Sequence, residues 1–185
     1  MKIDLLLKVT PDISFEAKEN LKLASFGHLG THFDVMDKVF PLAYTERKGI
    51  VFDVHNIRNR DIETTDIDMH LIEQDMFVAF YTGFMEETDY GTKTYCKEHP
   101  QLSRSLIEKL ITRQVSIIGI DCAGVRRSKE HREMDQYCAD HGVFIVENLC
   151  NLKSLFANGN TFIADTYPMH FAGMTGLPSR VVADI

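Results

Sequence analysis

The chain has 185 residues, with 27 acidic and 20 basic side chains and a formal net charge of −7. Hydrophobic residues make up 44% of the sequence and charged residues 25%, a balance that excludes a disordered or fibrous protein. The acidic character argues against nucleic acid or an anionic membrane as the main partner, so we expect a small-molecule substrate. The length predicts one domain over residues 1–185.

The amino-terminal apolar residues are not expected to form a targeting segment. Asp4 and Lys8 interrupt them before they reach the length of a signal-peptide core. Elsewhere no uncharged apolar stretch approaches the ~20 residues that cross a bilayer. We therefore expect a cytoplasmic protein. None of the cysteines forms a C-x-x-C pair, so free thiols are expected rather than disulfides or a zinc finger.

Short apolar segments alternate with helical patterns along the chain. Segments rich in Val, Ile, Phe and Tyr predict buried strands over residues 48–54, 75–83, 116–121 and 143–148. Before the third of these, helical spacing of apolar residues predicts a helix over 103–114, with Ser103 as its cap. Before the fourth, a helix is predicted over 128–142, ending at Gly142. Helices that run directly into strands indicate an α/β domain with a mixed sheet core.

Histidine and aspartate residues concentrate in the segment 27–41. In an extended chain His32 and Asp34 point to the same side, and a turn at Gly30 could bring His28 to the same centre. Two imidazoles and a carboxylate suit Zn or Mn. A helical H-E-x-x-H site is excluded because Leu29 occupies the glutamate position. The alternative, in which the histidines cap loops or bind backbone groups, remains open.

The segment GHLGTHFD resembles the H-x-G-T-H-x-D-x-P-x-H signature of the cyclase family, the metal-dependent hydrolases that include bacterial kynurenine formamidase and isatin hydrolase. Similar segments follow in the family's order: FVAFYTGF, HPQLS, VSIIGIDCAG, HGVFIVENLCNL and GLPSRVVADI. The resemblance covers nearly the whole chain from Gly27 onward. It implies a swivelling β/β/α-type domain, a metal centre that activates water to hydrolyse an amide, and a homodimer.

The resemblance also implies a set of metal ligands. By position in the signature, His28, His32 and Asp34 would bind one ion, Zn or Mn, and Asp34 would bridge to a second. Glu147, at the end of a predicted strand, would be a ligand of that second ion.

The family's remaining ligand is a histidine twelve residues before that glutamate, and here the position holds Asp135. His131 lies one helical turn earlier and is an alternative ligand if the register shifts. On a charged helix, however, we expect His131 to be a surface residue.

The signature itself is altered at two positions. Its proline is Met36, and its last histidine, the expected proton shuttle, is Lys38. One hypothesis is that the Lys38 ammonium pairs with Asp135 or Asp34 and replaces the second ion. The other is that Asp135 binds a second ion and Lys38, its pKa lowered beside a dication, is the catalytic base. One or two ions are therefore expected, with Lys38 as the candidate catalytic residue.

The leading functional prediction is a metal-dependent hydrolase of an amide bond. The resemblance implies an arylformamidase-like enzyme acting on a formamide or lactam, with N-formylkynurenine of tryptophan catabolism as the best-known type of substrate. The alternative is a family member that binds a metal or small ligand without turnover. A metal-free enzyme is weaker, because the sequence has no G-x-S-x-G motif and no cysteine with an evident activating histidine.

Overall fold

The computed structural model describes residues 1–7 and 27–185. Its strands are β1 (Lys2–Asp4), β2 (His32–Asp34), β3 (Glu46–Asp53), β4 (Phe77–Tyr81), β5 (Ile117–Ile120), β6 (Phe144–Glu147), β7 (Thr161–Pro168) and β8 (Gly176–Asp184). Its α-helices are α1 (Phe84–Glu87), α2 (Lys93–Glu98), α3 (Arg104–Thr112) and α4 (Lys129–Asp140). Short 3₁₀ turns lie at Leu42–Tyr44, Thr64–Asp66, Met69–Leu71 and Leu152–Phe156.

The described strands form one mixed sheet in the order β1-β8-β2-β6-β5-β4-β3-β7, and β7 also pairs with β8. The extra pairing closes the strands from β8 round to β7 into a barrel-like ring. Strands β3 to β6 are parallel to their neighbours within that group, whereas β2, β7 and β8 run antiparallel to theirs. The chain therefore has an α/β fold built on a mixed barrel-like sheet.

The two faces of the sheet bury two different cores. Inside the ring, every strand from β2 to β8 contributes apolar side chains, among them Phe33, Phe77 and Val146. On the outer face, residues such as Ile145 pack against α3 and α4. Because side chains alternate along a strand, Glu147 lies on the same outer face as Ile145. The last residue of β6 therefore points toward the layer that holds α4.

The sequence located the central elements well. Each of the predicted strands overlaps an observed one, β3 to β6, with ends that agree within two residues, and both predicted helices form as α3 and α4. The Ser103 hydroxyl accepts a hydrogen bond from the backbone N–H of Leu106, as expected of a cap. Gly142 follows α4 at φ 73°, the left-handed conformation that ends helices. The swivelling β/β/α arrangement stays a prediction.

All four cysteines are free thiols, as predicted. In residues 1–7 and 27–185, no helix combines the length and the apolar character needed to cross a bilayer.

Candidate metal centre

The pairing of β2 with β6 brings the imidazole of His32 next to the carboxylate of Glu147. His32 lies directly opposite Glu147 in this antiparallel pair, and the His32 Nε2 atom is 3.6 Å from Glu147 Oε2. The Nδ1 atom of His32 is 2.9 Å from the backbone carbonyl of Gly30. A proton on Nδ1 donates to that carbonyl and leaves Nε2 free as a ligand atom. Asp34, two residues along β2, shares the outer face with His32.

The loop before β2 brings His28 to the same carboxylate. Its Nε2 atom is 3.2 Å from Asp34 Oδ1, while His32 Nε2 is 3.7 Å from the same oxygen. The backbone of Gly176 supports the ring from behind, since a Cβ there would lie 2.7 Å from His28 Cδ2. His28, His32 and Asp34 thus each offer an atom within 4.8 Å of one another. We call these three residues the first position.

Helix α4 and strand β6 build a second group around the same aspartate. The His131 Nε2 atom is 3.2 Å from Asp135 Oδ2 and 3.4 Å from Glu147 Oε1. Because His131 and Asp135 are four residues apart on α4, their side chains lie on one face of the helix. Asp34, His131, Asp135 and Glu147 also each offer an atom within 4.8 Å of one another. We call these four residues the second position, which shares Asp34 with the first.

The expectation that His131 is a surface residue is only partly met: its side chain is 33% exposed, but its Nε2 atom faces the carboxylates of Asp135 and Glu147. Helix α4 buries Met134 and Cys138 against the sheet, which turns the face carrying His131 and Asp135 toward the end of β6. The signal available in the sequence was the four-residue spacing between His131 and Asp135 on a predicted helix. The family's spacing of twelve residues before the glutamate pointed to Asp135 alone. It gave no role to His131, one helical turn earlier.

Three buried carboxylates lie close together in the centre, and their pKa values are strongly shifted. Burial alone would raise the pKa of Asp34, but the imidazoles of His32 and His28 outweigh it and hold that pKa far below its usual range. Burial, followed by the negative charge of Asp34, raises the pKa of Asp135 and Glu147 well above the usual values. With all three carboxylates ionised, the second position would hold more negative charge than its protein surroundings neutralise, and a dication would relieve this repulsion.

The pKa values of His131 and His32 are shifted in opposite directions. Burial lowers the pKa of His131, so the ring is neutral at pH 7, as a ligand imidazole must be. His32 differs, since its pKa is raised: burial opposes protonation, but Asp34 and the hydrogen bond to Gly30 outweigh burial. A cation at the first position would compete with a proton for the Nε2 atom of His32.

Several buried carboxylate oxygens of the centre have no hydrogen-bond partner among the described residues, and such atoms indicate whether a metal ion would fit there. Asp34 Oδ2, Asp135 Oδ1 and Glu147 Oε1 are buried and have no hydrogen-bond partner within the described parts of the chain. Leaving such charged acceptors unpaired is costly. Imidazole nitrogens and carboxylate oxygens at this spacing are the donor set of Zn and Mn sites. The residues therefore fit divalent ions at both positions.

The structure does not bring Lys38 into this centre. Its Nζ atom lies 2.7 Å from Asp140 Oδ1 and 3.2 Å from Asp37 Oδ1, and its side chain is 37% exposed. Asp140 lies five residues beyond Asp135, about 7.5 Å further along α4. The pairing of Lys38 with Asp135 or Asp34, expected if it replaced an ion, is not formed. Hydrogen bonds to Asp140 and Asp37 raise the pKa of Lys38, which opposes the predicted role of a base.

The turn at Met36 explains where Lys38 goes. Met36 has φ 56°, and its backbone N–H donates to the carbonyl of Thr175 at 3.0 Å. Proline fixes φ near about −65° and has no N–H, so the signature's proline could not form this turn. In this chain the residues after β2 therefore follow a path that begins with the left-handed conformation of Met36. That path ends with Lys38 on the outer end of α4.

Comparison with known proteins identifies the family. The Cyclase family model, described as "Putative cyclase", matches residues 3–127. The chain belongs to the cyclase family. The match includes the first position of the metal centre and ends before α4, which carries His131 and Asp135. Membership in the cyclase family confirms the resemblance recognised in the sequence.

Solved structures share the whole fold at low sequence identity. A structure described as a "potential metal-dependent hydrolase with cyclase activity" has a TM-score of 0.77 at 20% identity, covering 99% of this chain and 96% of its own. Isatin hydrolase A from Ralstonia solanacearum gives 0.76 at 15%, covering 99% and 91%. Isatin hydrolase A from Labrenzia aggregata, bound to benzyl benzoate, gives 0.71 at 16%, covering 99% and 93%. No curated protein matches the sequence significantly.

Proposed function

We propose that this cyclase-family protein is a metal-dependent amidohydrolase of the arylformamidase type, which hydrolyses a formamide or lactam. The observation that carries the proposal is the pair of ligand groups joined by Asp34, with buried carboxylate oxygens that lack partners among the described residues. Two of the similar solved structures are isatin hydrolases. Their names support hydrolysis of a carbonyl compound by this fold.

A divalent ion held in this centre would lower the pKa of water toward neutrality and polarise a substrate carbonyl. The chain's own residues would hold the ion and fix its position. His32, Asp34 and Glu147 are almost fully buried, so their geometry is fixed by the sheet. The His28 and His131 side chains are 30% and 33% exposed, and we infer that substrate reaches the centre past these two imidazoles.

The proposal is tested by hydrolysis of an N-formyl arylamine after loading with Zn²⁺ or Mn²⁺. We expect turnover that His32→Ala and Asp34→Asn abolish, with the circular dichroism spectrum unchanged. His141→Ala is the matched control, because among the described residues this imidazole hydrogen-bonds only to the carbonyl of Tyr137, at the exposed end of α4. If the loaded wild-type protein hydrolyses no formamide or lactam, the proposed activity is refuted.

The placement of Lys38 favours a second candidate function. The residue aligned with the family's proton shuttle is tied to Asp140 and Asp37, which would leave a protein that binds a metal or small ligand without turnover. This candidate predicts a fully loaded protein that is inactive on formamides, lactams and cyclic imides. Lys38→His would then restore hydrolysis, whereas no gain in that variant would count against it.

A further inference from the structure

Gly124, in the loop after β5, lies against the second position. Its φ is 121°, a conformation that L residues with side chains rarely adopt. A Cβ on Gly124 would lie 2.7 Å from both Cε1 and Nδ1 of the His131 ring, and 3.0 Å from Glu147 Oε1. Distances this short cannot be accommodated without movement. The side-chain space of residue 124 is therefore filled by two of the four groups that form the second position.

The loop around Gly124 is held on both sides and has little freedom to withdraw. The carbonyl of Val125 accepts a hydrogen bond from the N–H of Leu102 at 3.1 Å, and the carbonyl of Cys122 accepts one from the N–H of Asn148 at 3.1 Å. The Cys122 thiol also lies 3.6 Å from the Gly124 carbonyl. Because the backbone is fixed on both sides of the glycine, an added side chain would displace the His131 ring instead.

Displacement of His131 would change the chemistry of the second position. The other members, Asp34, Asp135 and Glu147, are all carboxylates, so His131 supplies the only nitrogen atom of the group. Imidazole is a preferred ligand of Zn²⁺, whereas sites made of oxygen atoms alone suit harder ions. The position of the ring therefore decides whether this group can bind zinc tightly.

We propose that Gly124 is a positioning residue for the second position, since the absence of a side chain there lets the His131 ring stand as its single imidazole ligand. The proposal rests on the proposed function, in that both positions must bind divalent ions. It concerns Gly124 in the loop after β5 and His131 one helical turn before Asp135, neither of which belongs to the signature segment.

The test compares Gly124→Ala with wild type, using Zn²⁺ alone as the probe. Metal content after dialysis gives the number of ions bound, and a titration gives their affinity. The ¹⁵N shifts of the histidine rings show whether His131 Nε2 binds zinc. If Gly124 had a purely structural role, Gly124→Ala would leave this zinc-induced shift of His131 unchanged. Gly159→Ala and Gly173→Ala are matched controls, because these glycines also have positive φ, 94° and 76°, but no atom of the described residues within 4 Å of the added Cβ.

We expect wild type and both controls to bind two equivalents of zinc. Gly124→Ala should retain the ion at the first position, lose at least about tenfold in affinity at the second, and show no zinc-induced shift at His131. Two tightly bound ions with a normal His131 signal in Gly124→Ala would overturn this inference and leave the proposed function intact. Wild type that binds no zinc would instead refute the proposed function.

A double variant keeps the inference testable if Gly124→Ala folds poorly. In Gly124→Ala/His131→Ala the ring that meets the new Cβ is gone, so the alanine should cost less stability than it does beside His131. Such non-additivity is the signature of direct contact. Equal destabilisation by Gly124→Ala with and without His131 would overturn the proposal.

Discussion

His32 and Glu147 are direct partners in the antiparallel pairing of β2 with β6, and their side chains meet on the outer face of the sheet. This one register pair links the segment 27–41 to the end of a strand more than a hundred residues later. A slip by one residue would move Glu147 to the opposite face, inside the barrel. The metal centre is therefore set by strand register as much as by the signature residues.

Asp34 belongs to both positions, so its loss should affect both ions. We expect Asp34→Asn to bind no zinc tightly, whereas His28→Ala should lose only the ion of the first position. The reason is that an amide offers neither the charge nor the bridging oxygens of a carboxylate. Metal content of the purified variants, measured by elemental analysis, checks this. If Asp34→Asn retains one full equivalent, the two positions do not share this residue.

Glu147 and Asp135 repel each other and Asp34 in the metal-free protein. Because burial and these charges raise the pKa of Glu147, Glu147→Gln should raise the Tm of chelator-treated protein. Each ~1 kcal/mol of relief corresponds to about 2–4 °C in a chain of this size. The same variant should gain less stability from added zinc than wild type does. Glu133→Gln, at an exposed position of α4, is the control and should leave the Tm unchanged, and a lower Tm for Glu147→Gln would contradict the argument.

Lys38 is held as a protonated ammonium by Asp140 and Asp37, so it cannot accept a proton at neutral pH. We expect Lys38→Met to keep both ions and to retain any hydrolytic activity within about threefold. Removal of a true general base costs about 10²–10⁴-fold. Comparison of kcat/KM for Lys38→Met and wild type separates these outcomes. A loss in the larger range would show that Lys38 leaves its surface pair during the reaction.

His99 is fully buried, and burial, with smaller contributions from His131 and Arg127, lowers its pKa to about 4. The unfolded chain binds a proton at this residue below its ordinary pKa of about 6.5, whereas the folded protein does so only below about 4. Stability should therefore fall as the pH drops through this window. The full loss amounts to about 3 kcal/mol, since one pKa unit corresponds to about 1.4 kcal/mol.

The pH effect of His99 is measured by urea unfolding at pH 7 and pH 4.5. We expect His99→Asn to lose less stability between these values than wild type, since asparagine does not titrate and can still donate to the Pro100 carbonyl that His99 Nδ1 approaches at 2.9 Å. His141→Asn, at an exposed imidazole, serves as the control. An identical pH dependence for His99→Asn and wild type would show that His99 is not the group responsible.

Local patterns were sufficient for much of this protein. Apolar runs located β3 to β6, because buried parallel strands need continuous Val, Ile and Phe. Helical spacing located α3 and α4, and the cap at Ser103 is a local interaction that depends on residues three apart. The ligand types in the segment 27–34 indicated a metal centre, since imidazole and carboxylate at that spacing suit divalent ions. Each of these features depends on neighbours in the chain.

The remaining features depend on contacts between distant residues. Only the register of β2 against β6 shows that His32 faces Glu147, and only the packing of α4 shows that His131 also reaches Glu147. Lys38 was expected near the metal because it aligns with a histidine, but the turn at Met36 carries it to Asp140. The sequence by itself determined the kinds of ligand and the central strands. The tertiary structure decided which charged groups meet, because pairing of buried charges depends on register and helix orientation that no local pattern encodes.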